Sequence, residues 1–500
     1  MALTGKLIAL EKTELIGNAG SDGNAGNINI NGDNVEINLL ASGSSDQSAL
    51  RLLGGSGSGN GGNITITSKN DVFIGDHVIV QASALADGNG GNISITAQND
   101  GISIGQTGTS VISRGLQTGN GGNITIQGNS NQGDMIISAI FNANSEGTGK
   151  AGTIKIEGNE ITINDKPINA QSLGNGEAGR IEITGNKLND GGMTLNASGN
   201  TQGDGGTISI NLSGTDPTVL TGVTIISVSG GSNTGNGGNI SLDVKGDITV
   251  PPGASLNANG KSSGSANGGN ISIQTEETLF MDGELVASSG NSGDGGQITI
   301  DAGEISVNNG SLRANGNQGS IQISNISQSN RPFRFNKTGT LDTEGVITTN
   351  GPQSGGNTPG GIIINNENGE IIIGSKFALR ANGGSNNTNG GTISISSSTS
   401  KLTVDGIIAA NADGNGNGGF VSINASELSV TNGEIRAIGN NGSINIFNGT
   451  SSAGAFSFTK TGSSSSEGVI SVNTAATGGT NAGTITITNQ AGEISIGQNF

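Results

Sequence analysis

One short motif recurs along the whole chain and constrains its fold more than any other feature. It consists of a small or polar residue, a Gly, a further polar residue and an alternating run such as Ile-Thr-Ile. Clear copies are residues 61–66 and 121–126, both GGNITI. The Gly of the motif recurs at steps of 23 to 42 residues, at positions 26, 62, 91, 122, 152, 179, 206, 238, 269, 296, 319, 361, 391, 419, 442 and 483. Periods of this size are typical of solenoids, in which each repeat forms one coil.

The shortest repeat, residues 296–319, contains three short alternating segments. Their apolar residues fall on one face and their polar residues on the other, which is the period of a half-buried β-strand. The predicted inward residues are Ile298, Ile300, Ile305, Val307 and Leu312. Asn and Gly between the segments favour tight turns, because both accept positive φ at little cost. The repeat therefore predicts one coil of three strands.

A single coil cannot cover its own apolar face, so the coils have to stack, each strand pairing in parallel with its equivalents above and below. The sequence thus predicts an all-β fold, a right-handed parallel β-helix of about 16–18 three-strand coils. The handedness follows from the general preference of parallel crossovers. At a strand spacing of about 4.8 Å, such a stack would be on the order of 80 Å long.

A longer repeat of 123 residues lies over the short one and carries Glu304 onto Glu427. It also carries Phe377 onto Phe500, which places the last residue in the middle of a coil. This register indicates that four to five coils were duplicated as a block. It also indicates that the sequence is a fragment of a longer array.

The domain prediction follows from both repeats. We expect a single continuous β-helix segment over residues 1–500, with duplicated blocks at 238–360 and 361–482 and the start of a third copy at 483–500. Length variation falls almost wholly before the Gly of the motif, so one corner of the coil is expected to carry the loops.

Composition excludes several classes of partner. The net charge is −18, with 39 acidic and 21 basic residues and no dense basic run, which argues against nucleic acid as a partner. There is no Cys, so neither disulfides nor thiolate metal sites are expected. No apolar run is long enough for a membrane-spanning helix, and the first residues lack the pattern of a secretion signal.

Residues 59–66 read GNGGNITI and residues 88–95 read GNGGNISI, and further strands follow at 71–74 and 78–82. This style of repeat resembles the filamentous-haemagglutinin-like exoproteins of the two-partner secretion pathway, in particular the large cyanobacterial members. The resemblance covers nearly the whole chain, but only the shaft region of such proteins. No signal peptide or amino-terminal secretion domain of that family is visible before Gly26.

The resemblance implies a bacterial structural shaft, secreted or held at the cell surface at the outer membrane. It implies a two-partner outer-membrane transporter as the export partner, and contacts with host cells, surfaces or polysaccharides. The leading hypothesis is therefore a non-enzymatic, adhesin-like exoprotein. Stacked Asn and Ser side chains also favour lateral self-association.

Two other functions remain open. One is a carbohydrate-active β-helix enzyme, a polysaccharide lyase or hydrolase, and the other is the passive stalk of a contact-dependent toxin. An enzyme would need carboxylates clustered with Arg or Lys on the outer face of adjacent coils. The outward positions are mostly Ser, Thr and Asn, and there is no Trp or Tyr to stack on sugars. No catalytic, cofactor-binding or metal-ligating residue is predicted, and no cofactor.

One candidate docking patch consists of Phe333, Phe335, Phe456 and Phe458. Each pair alternates with a polar residue, so both aromatic side chains of a pair share one face of a strand. That pattern favours burial in the core or under a loop. If the rings project instead, they form an apolar patch beside a Lys in each block, suited to docking a partner.

Two further features are weaker candidates for a functional site. The only His, His77, follows Asp76 at a turn and supplies at most one imidazole ligand, which favours a solvated turn over a metal or base site. Carboxylates recur at the start of the second strand, at Asp71, Glu160, Asp247, Glu277, Glu304, Glu370, Glu427 and Glu493. Stacked about 5 Å apart, they would favour bound cations or raised pKa values. The alternative is that they alternate with other residues and face water.

Overall fold

The computed structural model describes residues 2–3, 7–9, 14–38, 48–105, 107–261, 264–325, 329–352, 360–385, 387–450, 454–463, 467–474, 481–497 and 500. Within these residues, all regular secondary structure is β-strand. The predicted all-β parallel β-helix of three-strand coils is confirmed. Packing groups the chain into two compact units, Met1–Lys245 and Gly246–Phe500.

The first unit repeats three strands in a fixed order. Its first strands are Ala2–Leu3, Asn27–Gly32, Asn63–Ser68, Asn92–Ala97, Asn123–Gln127, Thr153–Glu157, Arg180–Gly185, Thr207–Leu212 and Asn239–Val244. Its second strands are Leu7–Ala9, Val35–Ile37, Val72–Ile74, Ile102–Ile104, Asp134–Ile137, Glu160–Asn164, Lys187–Gly191 and Thr218–Val219. Its third strands are Glu14–Ile16, Ser48–Leu53, Val78–Ser83, Ser110–Ile112, Ile140–Asn142, Pro167–Asn169, Thr194–Asn196 and Ile225–Ser227.

The second unit follows the same order, but four of its strands run through both the first and the second position. These are Asn270–Met281, Gln297–Asn308, Thr392–Val404 and Phe420–Thr431. Separate first strands are Ser320–Ser324, Gly361–Asn365, Ser443–Asn448 and Thr484–Asn489, and separate second strands are Ile248–Val250, Phe333–Asn336, Ile371–Ile373, Phe456–Thr459 and Ile494–Ile496. The third strands are Ser255–Asn257, Glu284–Val286, Ser311–Arg313, Val346–Thr348, Ala378–Arg380, Ile407–Ala409, Glu434–Arg436 and Val469–Ser471. The described residues of each unit include eight third strands.

Parallel pairing keeps equivalent motif positions in register. Ile64, Ile93 and Ile124 lie directly above one another in successive first strands. The five inward residues predicted from the shortest repeat are all buried, with at most 1% exposed. Each buried Ile contributes about 1.5–3 kcal/mol through loss of apolar surface to water. The stacked Ile columns are therefore the main stabilising feature of each unit.

The long strands differ from the predicted turns between the first and second segments. Gln297–Asn308 is one strand, although its pairing with the preceding coil shifts register between Ala302 and Glu304 and omits Gly303. The side chain of Ala302 points inward and is fully buried, as are Ser397 and Ala425 in equivalent strands. Small inward residues allow the strand to change direction without a separate loop. The predicted turn is thus replaced by a bend within one strand.

The motif glycines are required for close approach of the coils and not for positive φ. None of the motif glycines in the described residues has a positive φ. Many of them lie against the equivalent peptide of the preceding coil: a Cβ on Gly122 would lie 1.9 Å from the carbonyl oxygen of Gly91, and one on Gly152 equally close to that of Gly122. A side chain at this corner would hold adjacent coils apart.

Asn side chains tie the same corner to the next coil. The Oδ1 atom of Asn60 accepts a hydrogen bond from the backbone N of Asn89 at 2.8 Å, and Oδ1 of Asn89 accepts one from Asn120 N at 2.9 Å. Oδ1 of Asn120 in turn accepts one from Lys150 N at 2.7 Å. The repeated Asn therefore satisfies a backbone donor that the ladder of the strands leaves unpaired.

Candidate functional site

The four phenylalanines predicted as a docking patch are buried, so the docking interpretation is wrong. Phe333, Phe335, Phe456 and Phe458 are at most 1% exposed. The ring of Phe335 lies 5.5 Å from that of Phe377, between centroids, and Phe458 and Phe500 repeat this contact at the same distance. The rings occupy inward strand positions because their neighbours in register, such as Ile305 for Phe333, also point inward. They are core residues of the second unit.

Most of the carboxylates at the start of the second strand lie opposite other residue types, as the alternative predicted, whereas Glu160 lies between Asp134 of the preceding coil and Lys187 of the next. Glu304 lies opposite Thr278, and Glu427 lies opposite Lys401. Basic side chains pair with four of the carboxylates: Glu160 with Lys187 at 3.3 Å, Glu277 with Arg331 at 2.7 Å, Glu304 with Arg334 at 3.1 Å and Glu427 with Lys401 at 3.2 Å. Hydrogen bonds from Asn189 and Lys187 lower the pKa of Glu160, opposite to the rise that stacked carboxylates would cause. In the described ranges, no three Asp, Glu, His or Cys residues converge on a metal position.

His77 forms a turn, as the sequence favoured. Its φ is 58°, its backbone N donates to the carbonyl oxygen of Thr107 at 2.7 Å, and its own carbonyl oxygen accepts from Ser48 N at 3.1 Å. The carboxylate of Asp76 accepts a hydrogen bond from Thr107 N at 3.0 Å. The His-Asp pair thus connects the turns of adjacent coils.

Asp190 is a carboxylate that the sequence did not single out. Its Oδ1 atom accepts hydrogen bonds from the backbone N atoms of Gly192 at 2.8 Å and Met193 at 2.6 Å. Its Oδ2 atom accepts from Thr221 N at 2.7 Å and from the hydroxyl of Thr224. One side chain therefore closes its own turn and fixes the turn of the next coil.

We expect Asp190→Ala to destabilise the chain by about 3 kcal/mol, because several hydrogen bonds to one charged group are lost and backbone donors are left without a partner. Urea unfolding followed by far-ultraviolet circular dichroism measures this loss. Asp165→Ala is the matched control, since the Asp165 side chain is 74% exposed and contacts only Lys166 across an ion pair at 3.4 Å. Equal midpoints for the two variants would contradict the role given to Asp190.

The densest group of charges lies on the outer face of the first unit. We call it the charged patch and define it as Lys150, Lys155, Glu157, Glu177, Arg180, Glu182 and Asp204. Lys150 pairs with Glu177 of the next coil at 2.6 Å, Lys155 pairs with Glu157 at 2.9 Å, and Arg180 pairs with Glu182. Lys155 also lies opposite Glu182 in register.

Electrostatics within the charged patch are those of paired surface ions. The hydrogen bond from Lys155 to Glu157, together with the negative charge of that carboxylate, raises the pKa of Lys155. A shallow groove of about 420 Å³ runs along the patch, lined by Glu177, Arg180 and Asp204 with neighbouring Thr and Asn residues. Carboxylates beside a guanidinium can bind hydroxyl groups of a saccharide, and in principle can exchange protons with one.

The charged patch was missed because its residues are scattered along the sequence. They become neighbours only when each coil is aligned on the Gly of its motif. In that alignment the position two residues before the Gly is Asn in some coils, as at Asn89 and Asn120. In three others it is a charged residue: Lys150, Glu177 or Asp204. Reading the sequence by motif position, coil by coil, would have found the substitution.

Asp282 and Asp405 were also not predicted as a site, although the 123-residue repeat carries the first onto the second. Asp282 and Asp405 begin equivalent Asp-Gly turns, and the Oδ1 atom of each is buried without a hydrogen-bond partner. Beside Asp405 lies a polar cavity of about 350 Å³, lined also by Lys376, Glu434 and Glu467. These turns are the only sites in the described chain where burial raises the pKa of an acidic group.

Comparisons of the chain with protein-family models, with curated proteins and with solved structures give no match. Among the described residues there is no helix of the length and hydrophobicity needed to cross a membrane. The family resemblance therefore stays a prediction from the sequence.

Proposed function

We propose that the chain is the structural shaft of a secreted or cell-surface adhesin-like exoprotein and has no enzymatic activity. Export through a two-partner outer-membrane transporter and contacts with host cells, surfaces or polysaccharides belong to the same proposal, which rests on the likeness of the repeats. A passive stalk of a contact-dependent toxin would require the same mechanical properties.

The observation that carries the proposal is the repetition of bonds between adjacent coils. Besides the parallel strand ladders, side chains join one coil to the next through the Asn row at the corner and through ion pairs such as Arg114–Glu146, at 2.6 Å between nitrogen and oxygen. A solenoid whose repeats contact only their neighbours gains its stability from such interfaces. Stability spread along the array suits a chain that has to bear load and hold other regions at a distance.

Antibodies raised against the purified chain test the location. They are expected to label intact, unpermeabilised cells of the source organism or to detect the chain in the culture medium. A cytoplasmic protein of the same cells serves as the control for leakage. Labelling that needs permeabilised cells, with no chain in the medium, would rule out the surface shaft.

The charged patch favours one second candidate, a carbohydrate-active enzyme. Such an enzyme requires carboxylates beside basic residues on adjacent coils. The charged patch has this arrangement, which the sequence had not shown. Glu177 and Asp204 line the groove together with Arg180. If the patch cleaves a saccharide, these two carboxylates are the groups that would donate and accept the proton.

Incubation of the full chain with neutral and acidic polysaccharides separates the two functions. The shaft proposal expects no new reducing or unsaturated ends. The enzyme candidate expects such ends, with a loss of about 100-fold or more in Glu177→Gln and Asp204→Asn, the usual size of a general acid-base contribution. Glu146→Gln is the matched control, since Glu146 is a surface carboxylate outside the patch. Product formed equally by all variants would exclude the patch as its source.

A further inference from the structure

The two Asp-Gly turns occupy equivalent places in the duplicated blocks of the second unit. Asp282 and Asp405 each follow the end of a long strand and precede the third strand of their coil. Each carboxylate accepts a hydrogen bond from the backbone of the next coil, at Asn308 or Thr431, and leaves its Oδ1 atom buried and unpartnered. Burial raises the pKa of both groups, and the backbone hydrogen bond only partly opposes that rise. An ionised carboxylate is therefore costly at both turns.

Each turn lies directly on the turn of the preceding coil. The backbone N of Asp405 donates to the carbonyl oxygen of Ile373 at 2.8 Å, so residues 374–376 lie next to it. Asp282 N makes the equivalent bond to the carbonyl oxygen of Val250, also at 2.8 Å. The backbone geometry of the two sites is the same, which makes them an internal comparison.

The sites differ in one cationic side chain. Lys376 lines the cavity beside Asp405 and is the only cation among the described lining residues, whose other charges are Glu434 from the next coil and Glu467 from the coil after it. The position equivalent to Lys376 in the first block is Gly253. The first block therefore holds the buried carboxylate without a basic neighbour at this turn.

The ammonium group of Lys376 is available to Asp405. Within the described part of the chain, Lys376 forms no ion pair, and the residue is exposed. The carboxylate of Glu434 is already held by Arg436 at 3.0 Å, and Glu467 packs against Gly462. Attraction between opposite charges strengthens as water is excluded, so an ionised, buried Asp405 would attract this ammonium more strongly than the same carboxylate in open solvent.

We propose that Asp405 and Lys376 form a proton-controlled latch between adjacent coils. At low pH the neutral acid of Asp405 lies against the cavity and Lys376 extends into solvent. When Asp405 loses its proton to water, the Lys376 ammonium enters the cavity and pairs with the carboxylate. The ion pair then links residues 374–376 of one coil to the Asp-Gly turn of the next. At the equivalent turn, Asp282 ionises without a cation to pair with its carboxylate.

The latch changes how stability depends on pH. A carboxyl group whose pKa is raised by folding contributes stability that is full below its unfolded-state pKa and is lost as the pH rises through its folded-state pKa. Asp282 therefore weakens the second unit as the pH rises from acid toward neutral. Lys376 offsets the corresponding loss at Asp405, so the two duplicated turns respond differently to the same change in pH.

A carboxyl-carbon NMR titration of the full chain, labelled at Asp and assigned with Asp282→Asn and Asp405→Asn, tests the latch. Lys376→Met is expected to raise the titration midpoint of Asp405 and to leave that of Asp282 unchanged. Gly253→Lys should lower the midpoint of Asp282, since it supplies the missing cation. Lys376→Met should also lower the melting temperature at pH 7 but not at pH 2, where Asp405 is protonated.

Lys376→Gln provides a second variant that keeps a polar side chain at this exposed turn. The proposal is overturned if both Lys376 variants leave the Asp405 midpoint in place, or if they shift the midpoints of Asp282 and Asp405 equally. An equal fall of the melting temperature at both pH values would show a role in packing alone and would also overturn it.

Discussion

Gly152→Ala is expected to destabilise the chain by at least about 3 kcal/mol, although it adds a single methyl group. The new Cβ would lie 1.9 Å from the carbonyl oxygen of Gly122, an atom of the backbone that no rotamer change can remove. Relief requires the two coils to move apart, and Gly152 N then loses its hydrogen bond to the carbonyl oxygen of Ala143, now 2.7 Å long. The midpoint of urea unfolding, followed by far-ultraviolet circular dichroism, measures the effect.

Gly361→Ala is the matched control for this substitution. The sequence placed the motif glycine of this coil at 361, but Gly360 takes that place in the structure, since a Cβ on Gly360 would lie 2.2 Å from the carbonyl oxygen of Gly319. Gly361 begins the first strand of the coil, and the nearest heavy atom to its Cβ would lie 3.8 Å away, at ordinary contact distance. Its midpoint is expected to stay close to that of the unmodified chain. Similar losses at Gly152 and Gly361 would mean that glycine acts through backbone freedom, and close approach of the coils would not be the reason for the motif.

Phe335→Ala and Phe458→Ala are each expected to cost about 3–5 kcal/mol, the usual penalty for removing a fully buried ring. Each ring fills the interior of a coil and contacts the next aromatic ring along the array, Phe377 or Phe500. The interior is lined by side chains of fixed strands, so it cannot collapse to fill the space. Urea midpoints of the purified variants, compared with those of the unmodified chain, measure the penalty.

Phe420→Ala is the control that distinguishes removal of an exposed aromatic ring from removal of a buried one. The ring of Phe420 projects from the outer face of a first strand and is 41% exposed. Its removal is expected to shift the midpoint by less than about 1 kcal/mol, as for most surface substitutions. If Phe335→Ala were equally mild, the buried ring would not stabilise the core as proposed here.

The fold could be predicted from the sequence because its two determinants are both local and repeated. Alternation of Ile with polar residues fixes which side chains point inward, and the spacing of the motif fixes the length of a coil. Ile298, Ile300 and Ile305 lie inside as expected. The continuous strand through Ala302 was not predicted, since a small inward residue that lets a strand bend cannot be told from one that begins a turn.

The reason for the motif glycines was also not visible in the sequence. Positive φ is a property of one residue and its turn, whereas the contact between Gly152 and Gly122 depends on how two coils lie against each other. A sequence read along one strand does not show that distance. The same limit hid the charged patch, because Lys150, Glu177 and Asp204 belong to three different coils.

The candidate sites were predictable to a smaller extent. The sequence placed His77 at a turn and favoured burial of the phenylalanines, and the structure confirms both. It could not reveal that Asp405 carries a buried oxygen without a partner, because burial at that turn depends on the coils before and after it. The carboxylate of Asp190 likewise accepts a hydrogen bond from Thr221 in the next coil, and two residues so far apart in sequence could not be paired from the sequence.

The Asn row at the corner has a consequence for the chemical ageing of the chain. Asn60, Asn89 and Asn120 each precede a Gly, the sequence context in which the following backbone nitrogen most readily attacks the side-chain amide and converts it to a carboxylate. Here the amide oxygens are held by the next coil, and so are the attacking nitrogens: Gly61 N donates to the carbonyl oxygen of Asn89, and Gly90 N to that of Asn120. Deamidation of these Asn residues is therefore expected only after the hydrogen bonds at the corner break. Mass-spectrometric mapping of stored, folded protein would detect any faster deamidation. The fold thus keeps the chain from accumulating negative charges, one above another, along its own edge.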